Sequence, residues 1–294
     1  MYRILSVTLI LICISAGCIT GNSDHEAEPE QPVQTDYQKP AQAVYLITPG
    51  EELSVFGGQY IYEEIIGSGT PEISTNYSLG YVTVPSGNTT TLHRLLNRSE
   101  FFGIISGEAE IKCDNTTVTV GANEYVILPK GVLQSATSVG EEELVYINVV
   151  NPGYTPESEI TGENVFDPEF STDKVPIVIP DPGEGIERDI NSDMMIYSVL
   201  NPVLMPEMNA NVDYSVAYAE LLPVGIAEEN YLKGSSELIY VIKGEIEIYA
   251  PGGNPVRVTA GNAAYIPPNQ TKGYRNVAEE KSTMLSFVSP ARTP

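Results

Sequence analysis

The chain of 294 residues contains no tryptophan, only two histidines and three cysteines, and 15 lysines and arginines against 39 acids. Each shortage excludes something. Two histidines, His25 and His93, do not suggest a Ser-His-Asp assembly, and the chain has neither a glycine-rich phosphate loop nor a Cys-x-x-Cys pair. Cys13 and Cys18 lie at the apolar N-terminus, so Cys113 stands alone in the remainder and has no partner for an internal disulfide. It closes the alternating stretch Glu110-Ile111-Lys112-Cys113 and reads as a packed small side chain rather than a reactive thiol. The formal charge of −24 repels phosphate backbones and anionic headgroups, so nucleic acid is not an expected partner. No long amphipathic helical period is present.

The N-terminus carries its own signal. Arg3 precedes an apolar run from Ile4 to Ile14, followed by Ser15-Ala16-Gly17-Cys18, which reads as an export signal over residues 1–17. Small residues ahead of a cysteine resemble a lipoprotein cleavage site, with Cys18 as the lipidated residue and Ser15 in place of the usual leucine. The alternative is an uncleaved membrane anchor, for which the apolar run is short. Both readings place the folded part at the outer face of the cell membrane. Residues 18–43, rich in Glu, Gln, Pro and Asp and including His25, read as a disordered acidic tether. Sequons at Asn76, Asn88, Asn97, Asn115 and Asn269 mildly favour export.

From Val44 onward the pattern is one of short strands. Tyr77 to Val84, Phe101 to Ile105, Ala109 to Cys113, Thr116 to Val120, Tyr125 to Leu128 and Leu144 to Val150 are β-branched or aromatic runs broken by Gly, Pro or Asn. A second series runs from Tyr214 to Val288, and Asp213 to Leu222 matches Asn76 to Thr83, as expected of a duplicated domain. The expected class is all-β, with one small antiparallel barrel or double-sheet roll over 44–154 and another over 188–292. Between them, 155–187 carries Pro156, Pro168, Pro176, Pro180 and Pro182 among acids and reads as an ordered arm or linker.

A spaced motif occurs twice. The first copy reads Gly87, five residues, His93, one residue, Leu95, four residues, Glu100, six residues, Gly107; the second reads Gly225, five residues, Tyr231, one residue, Lys233, three residues, Glu237, six residues, Gly244. Downstream, Asn123 to Gly131 leads to Gln134, and Gly261 to Asn269 leads to Lys272 and Asn276. In both motifs the chain resembles the cupin superfamily, in its two-domain form, and Pro129-Lys130-Gly131 with Asn151-Pro152-Gly153 loosely resembles the quercetinase branch. The resemblance implies two tandem jelly-roll-like barrels (double-stranded β-helices) packed on each other within the chain. It also implies a metal held by two histidines and a glutamate of the first motif and one histidine of the second.

Most of those donors are replaced. In the first half His93, Glu100 and Gln134 remain while Leu95 has no lone pair, so at most a single divalent transition metal is expected there, with dioxygenase or isomerase chemistry if it binds. In the second half Tyr231, Lys233 and Lys272 surround Glu237, and ammonium groups repel cations. Two lysines to one glutamate would leave an excess positive charge suited to a carboxylate-bearing ligand, with Tyr231 adding a hydroxyl; alternatively the lysines simply reach out to water. The favoured expectation is a non-catalytic protein without a cofactor, binding a small organic molecule at a barrel mouth. A metal-dependent enzyme active only in the first domain, and a purely architectural envelope protein, are the rivals.

Overall fold

The computed structural model describes residues 44–70, 73, 75–179, 186–191 and 193–291. The expected signal segment, the tether and the lipidation residue Cys18 lie outside them. Among the described residues there is no α-helix, only 3-10 helices of three to five residues between strands, and the fold is the expected all-β pair of barrels.

Each half is a large sheet facing a small one, all pairings antiparallel. In the first half the large sheet runs Ile177–Ile179, Tyr125–Leu128, Ser99–Ser106, Leu144–Asn151, Ser78–Val84, Tyr60–Ile66, Leu53–Val55. Its small sheet runs Glu159–Thr161, His93–Leu95, Leu133–Val139, Glu108–Cys113, Thr116–Gly121. The second half repeats the scheme: a large sheet of Tyr45–Ile47, Ala263–Ile266, Ser236–Lys243, Ser282–Ser289, Ser215–Leu221, Met194–Leu200, Ile186–Asn191, and a small sheet of Ile226–Asn230, Lys272–Asn276, Glu245–Tyr249, Val256–Thr259. Between the strands of each first motif and the next hairpin strand stand Gly107 and Gly244, at φ of +77° and +80°; a Cβ there would meet Glu143 O and Ser282 Oγ, both at 2.4 Å. That close approach is why the motif frame ends in glycine.

The pleat sorts side chains into two cores, because successive residues of a strand point to opposite faces. On Ser99–Ser106, Phe102 and Ile104 fill the first barrel, while Phe101 turns outward. On Ser236–Lys243, Ile239 and Val241 fill the second barrel, while Leu238 and Tyr240 turn outward. The outward faces meet in one shared core that also holds Leu79, Ile147, Val149, Tyr214, Leu285 and Phe287, with Phe101 and Phe287 edge to face at 6.3 Å. At the rim of this contact Asp213 accepts from Asn151 Nδ2 at 2.7 Å and from the side-chain amide of Asn76.

The strand pairing crosses the boundaries read from sequence. Tyr45–Ile47, assigned there to the first barrel, pairs with Ala263–Ile266 of the second, and Val44 is buried in the second barrel's core. Conversely, Ile177–Ile179 of the presumed linker pairs with Tyr125–Leu128 of the first. The start of the arm is built in as well: Glu159–Thr161 pairs with His93–Leu95. Arg94, buried beneath it, donates from Nε to Val165 O at 2.8 Å and from Nη1 to Gly131 O at 2.9 Å, and pairs with Asp114 at 3.3 Å. Contiguous runs of pattern cannot reveal such exchange, because an edge strand's hydrogen-bonding partner leaves no mark on its own composition.

Candidate functional site

The first barrel encloses a cavity of about 510 Å³, and its floor is the set of residues that the motif singled out. His93 and Gln134 are cross-strand partners in the small sheet; Glu100 comes from the large sheet, on the face shared with Phe102. His93 Nδ1 lies 2.7 Å from Thr91 O, and a carbonyl only accepts, so Nδ1 carries the proton and Nε2 offers a lone pair. The Gln134 amide donates to that Nε2 at 3.0 Å and also to the Glu100 carboxyl. The second Glu100 oxygen accepts from Asn148.

Burial keeps this floor from carrying charge. The Glu100 carboxyl is pushed up to about 8, first by burial and further by the Glu159 carboxylate, with the Gln134 amide pulling the other way. The His93 imidazole is held below its usual range by the same burial, against the Thr91 carbonyl and Glu159. At neutral pH the histidine is therefore uncharged and Glu100 is largely protonated.

For a single transition metal the floor supplies two strong donors, with Gln134 as a third only when its amide is turned over. Leu95, in the place of a ligand, is packed in the barrel wall, leaving His93 and Glu100 as the two strong donors. Their available oxygens and Nε2 already accept from amides, and Gln134 presents its nitrogen rather than its oxygen to both. Among the described residues no three His, Cys, Asp or Glu side chains are grouped to hold an ion.

Above the floor the walls are aromatic. Tyr60, Tyr62, Phe102, Tyr146 and, from the arm, Tyr154 line the cavity together with Glu159. Tyr62 reaches it by lying across Gly80 of the neighbouring strand, where a Cβ would come within 2.2 Å of the ring. Tyr154 donates to Glu159 at 2.8 Å. Burial, then the nearby carboxylates, push the hydroxyls of Tyr60, Tyr62 and Tyr146 upward, and Tyr154 to about 12, so all four stay protonated.

The motif alone did not point to Asn148 or to these tyrosines. A signal was present for Asn148: it is the asparagine inside the apolar run of Leu144–Asn151, in pleat phase with Tyr146 and Val150 and opposite Phe102. Glu159 and Tyr154 carried no such signal, because the arm's return over the barrel is a tertiary event.

The second barrel is more nearly filled, with a cavity of about 150 Å³. Lys272, only 2% exposed, reaches inward to Glu237 at 3.0 Å and donates to Asn230 Oδ1 at 2.7 Å. Glu237 also accepts from Ser286 at 2.6 Å and Tyr274 at 2.8 Å. Burial alone would raise its carboxyl, but the Lys272 charge and these hydrogen bonds outweigh burial and hold it below the usual range. Of the residues expected to form a cationic cluster, Glu237 and Lys272 meet and Tyr231 lines the cavity, but Lys233 does not join them and is exposed. The turn that follows it, with Gly234 at φ +72° and its N–H on Asn269 Oδ1 at 2.9 Å, carries the chain along the surface. One lysine balances one glutamate, so the excess positive charge expected there is absent. Ser286 occupies the position that Asn148 holds in the first barrel, each donating to its barrel's glutamate.

Two barrels built on the same motif frame define a cupin architecture, and comparison with known proteins agrees. The family model described as cupin domain matches residues 80–150 and again 218–288, and the chain is a two-domain cupin. Among solved structures, a point mutant of Bacillus subtilis oxalate decarboxylase superposes with a TM-score of 0.66 at 15% identity, covering 90% of this chain and 81% of that one. The formate complex of Lactobacillus farciminis oxalate decarboxylase gives 0.67 at 12% identity, covering 88% and 89%. AerE from Microcystis aeruginosa gives 0.61 at 10%, covering 83% and 98%. At these identities the likeness is one of fold. No curated protein sequence matches the chain.

Proposed function

We propose that the protein is a non-catalytic binding protein for a small organic molecule, and that the first barrel is its binding site. The observation that carries this is the contrast between two cavities of common origin. The second is closed by a neutralised Lys272–Glu237 pair, whereas the first keeps about 510 Å³, within the roughly 300–1,000 Å³ usual for small-molecule sites. Its aromatic walls supply apolar contact, and its hydrogen-bonded floor supplies a few oriented polar groups. The apolar run Ile4 to Ile14 before Ser15-Ala16-Gly17-Cys18 supports placing the protein at the outer face of the membrane, anchored through Cys18; mass spectrometry of the N-terminal peptide tests that.

The rival with support is a metal-dependent enzyme of the first barrel, since His93, Glu100 and Gln134 converge there and the fold resembles that of oxalate decarboxylases. Turning the Gln134 amide over would be its first requirement. Elemental analysis of the purified protein separates the two. The binding reading expects substoichiometric metal and thermal stabilisation by a small ligand; near-stoichiometric iron, manganese or zinc, lost in His93→Ala, would establish the enzyme instead.

A further inference from the structure

We infer that the first barrel selects a small organic cation, an alkylammonium. The inference rests on the reading of that barrel as a binding site and adds the sign of the ligand's charge.

Three features of the cavity lead there. First, neither lysine nor arginine lines it, whereas Glu64, Glu100 and Glu159 do. Glu64 is engaged with the backbone N–H groups of Ser68 and Gly69, at 3.2 and 2.6 Å, and sits at the rim. Glu100 is protonated on the floor, so the negative charge facing this cavity is that of Glu159 on the arm and Glu64 at the rim. An anion entering such a site meets carboxylates with no counter-charge, in a chain whose formal charge is already −24. Second, the walls between these acids are the rings of Tyr60, Tyr62, Phe102, Tyr146 and Tyr154, and aromatic faces attract an alkylammonium that has left water. Third, the hydroxyls of Tyr60, Tyr62 and Tyr146 have no hydrogen-bond partner among the described residues, although Tyr146 is only 4% exposed and lines the cavity. These hydroxyls open into the cavity, where each can accept from an N–H or donate to a hydroxyl carried on the same molecule.

The alternatives fare less well on the same features. A dicarboxylate would need a base that the cavity does not provide. A neutral sugar would stack on the rings and donate hydroxyls to Glu159, but it would leave that carboxylate's charge, which the arm brings to the mouth, without a counter-charge. A bare metal ion requires the floor lone pairs that the amides hold.

Titration calorimetry on the whole chain tests this with four probes: choline, its neutral isostere with carbon in place of the quaternary nitrogen, glucose and oxalate. The expected result is binding of choline at least tenfold tighter than the isostere, with no heat from oxalate. Glu159→Gln and Tyr60→Leu should each weaken choline at least fivefold, while Tyr231→Ala in the second barrel leaves it unchanged. Thermal melts of each variant check folding, and the two first-barrel changes act through different groups, so the failure of one to fold leaves the other. Isostere, glucose or oxalate binding as tightly as choline, with sensitivity to Tyr60→Leu, would overturn the cation assignment and leave the binding site standing. Absence of binding by all four probes, or choline binding indifferent to both first-barrel variants, would overturn the cation assignment and the choice of the first barrel together.

Discussion

Two buried glutamates at equivalent motif positions, Glu100 and Glu237, have been driven in opposite directions by their neighbours. Glu100 receives two neutral amides, and burial prevails, so its carboxyl rises to about 8 from an ordinary 4.5. Glu237 receives an ammonium and two hydroxyls, which prevail over burial. The folded state therefore binds a proton more tightly than the unfolded one at Glu100, and the stability this group contributes falls as the pH rises from about 4.5 to about 8. Glu237 works the other way, its contribution being lost as the pH falls below the normal carboxylate range. Comparison of denaturant midpoints across that upper window should show a shallower decline in Glu100→Gln than in the native chain, by on the order of a few kcal/mol; parallel curves would contradict the assignment. Lys272→Met strands a buried carboxylate and should cost about 3–5 kcal/mol, most of it recovered in the double variant Lys272→Met, Glu237→Leu. Urea titration of the single and double variants measures the coupling.

At the scale of elements, the exchanged edge strands Tyr45–Ile47 and Ile177–Ile179 close the exposed sheet edges at Ala263–Ile266 and Tyr125–Leu128. Each buries an isoleucine in the shared core, Ile47 and Ile179, with Ile177 packed against it half-buried. Truncating either to alanine should cost about 2–5 kcal/mol, as other large-to-small core changes do. The loss should register in the barrel each strand pairs with: hydrogen exchange in Ile47→Ala should quicken at Ser236–Lys243 and Ala263–Ile266, and in Ile179→Ala at Ser99–Ser106 and Tyr125–Leu128. Faster exchange at Tyr60–Ile66 alone in Ile47→Ala, or at Met194–Leu200 alone in Ile179→Ala, would contradict the pairing. The arm from Tyr154 to Thr161 is the other element with a function beyond connection. Buried Arg94 and the pairing of Glu159–Thr161 with His93–Leu95 hold it, so Tyr154 and Glu159 stand at the cavity mouth as part of the site.

Across the whole molecule, the two barrels are joined by a continuous apolar core and are not independent beads. Phe287 touches Phe101 and Tyr77 from the other half, at ring separations of 6.3 and 6.4 Å, and is fully buried. Phe287→Ala should cost about 3–5 kcal/mol, and calorimetry should still show one cooperative transition rather than two. Division of labour follows from this arrangement: the second barrel, with a neutral ion pair at its centre, braces the first, which keeps the open cavity.

The repeated glycine frame, the alternating apolar strands and the replaced donors at Leu95, Gln134, Tyr231 and Lys272 are properties of single positions and their spacing, and from them the two-barrel all-β fold and the loss of most metal donors were legible. Periodicity of two reports which face a residue takes, so the convergence of His93, Glu100 and Gln134 was legible too. Strands such as Leu133–Val139, with Ser and Thr alternating among small apolar residues, were weaker in sequence and emerge only from their pairing. Tertiary structure alone decided that Lys272 turns inward while Lys233 stays out, that the edge strands change barrels, and that the arm folds back to place Glu159 over the cavity. Those outcomes depend on which surfaces meet across long separations in the chain, and a local pattern of hydrophobicity and charge carries no information about the distant partner that satisfies it.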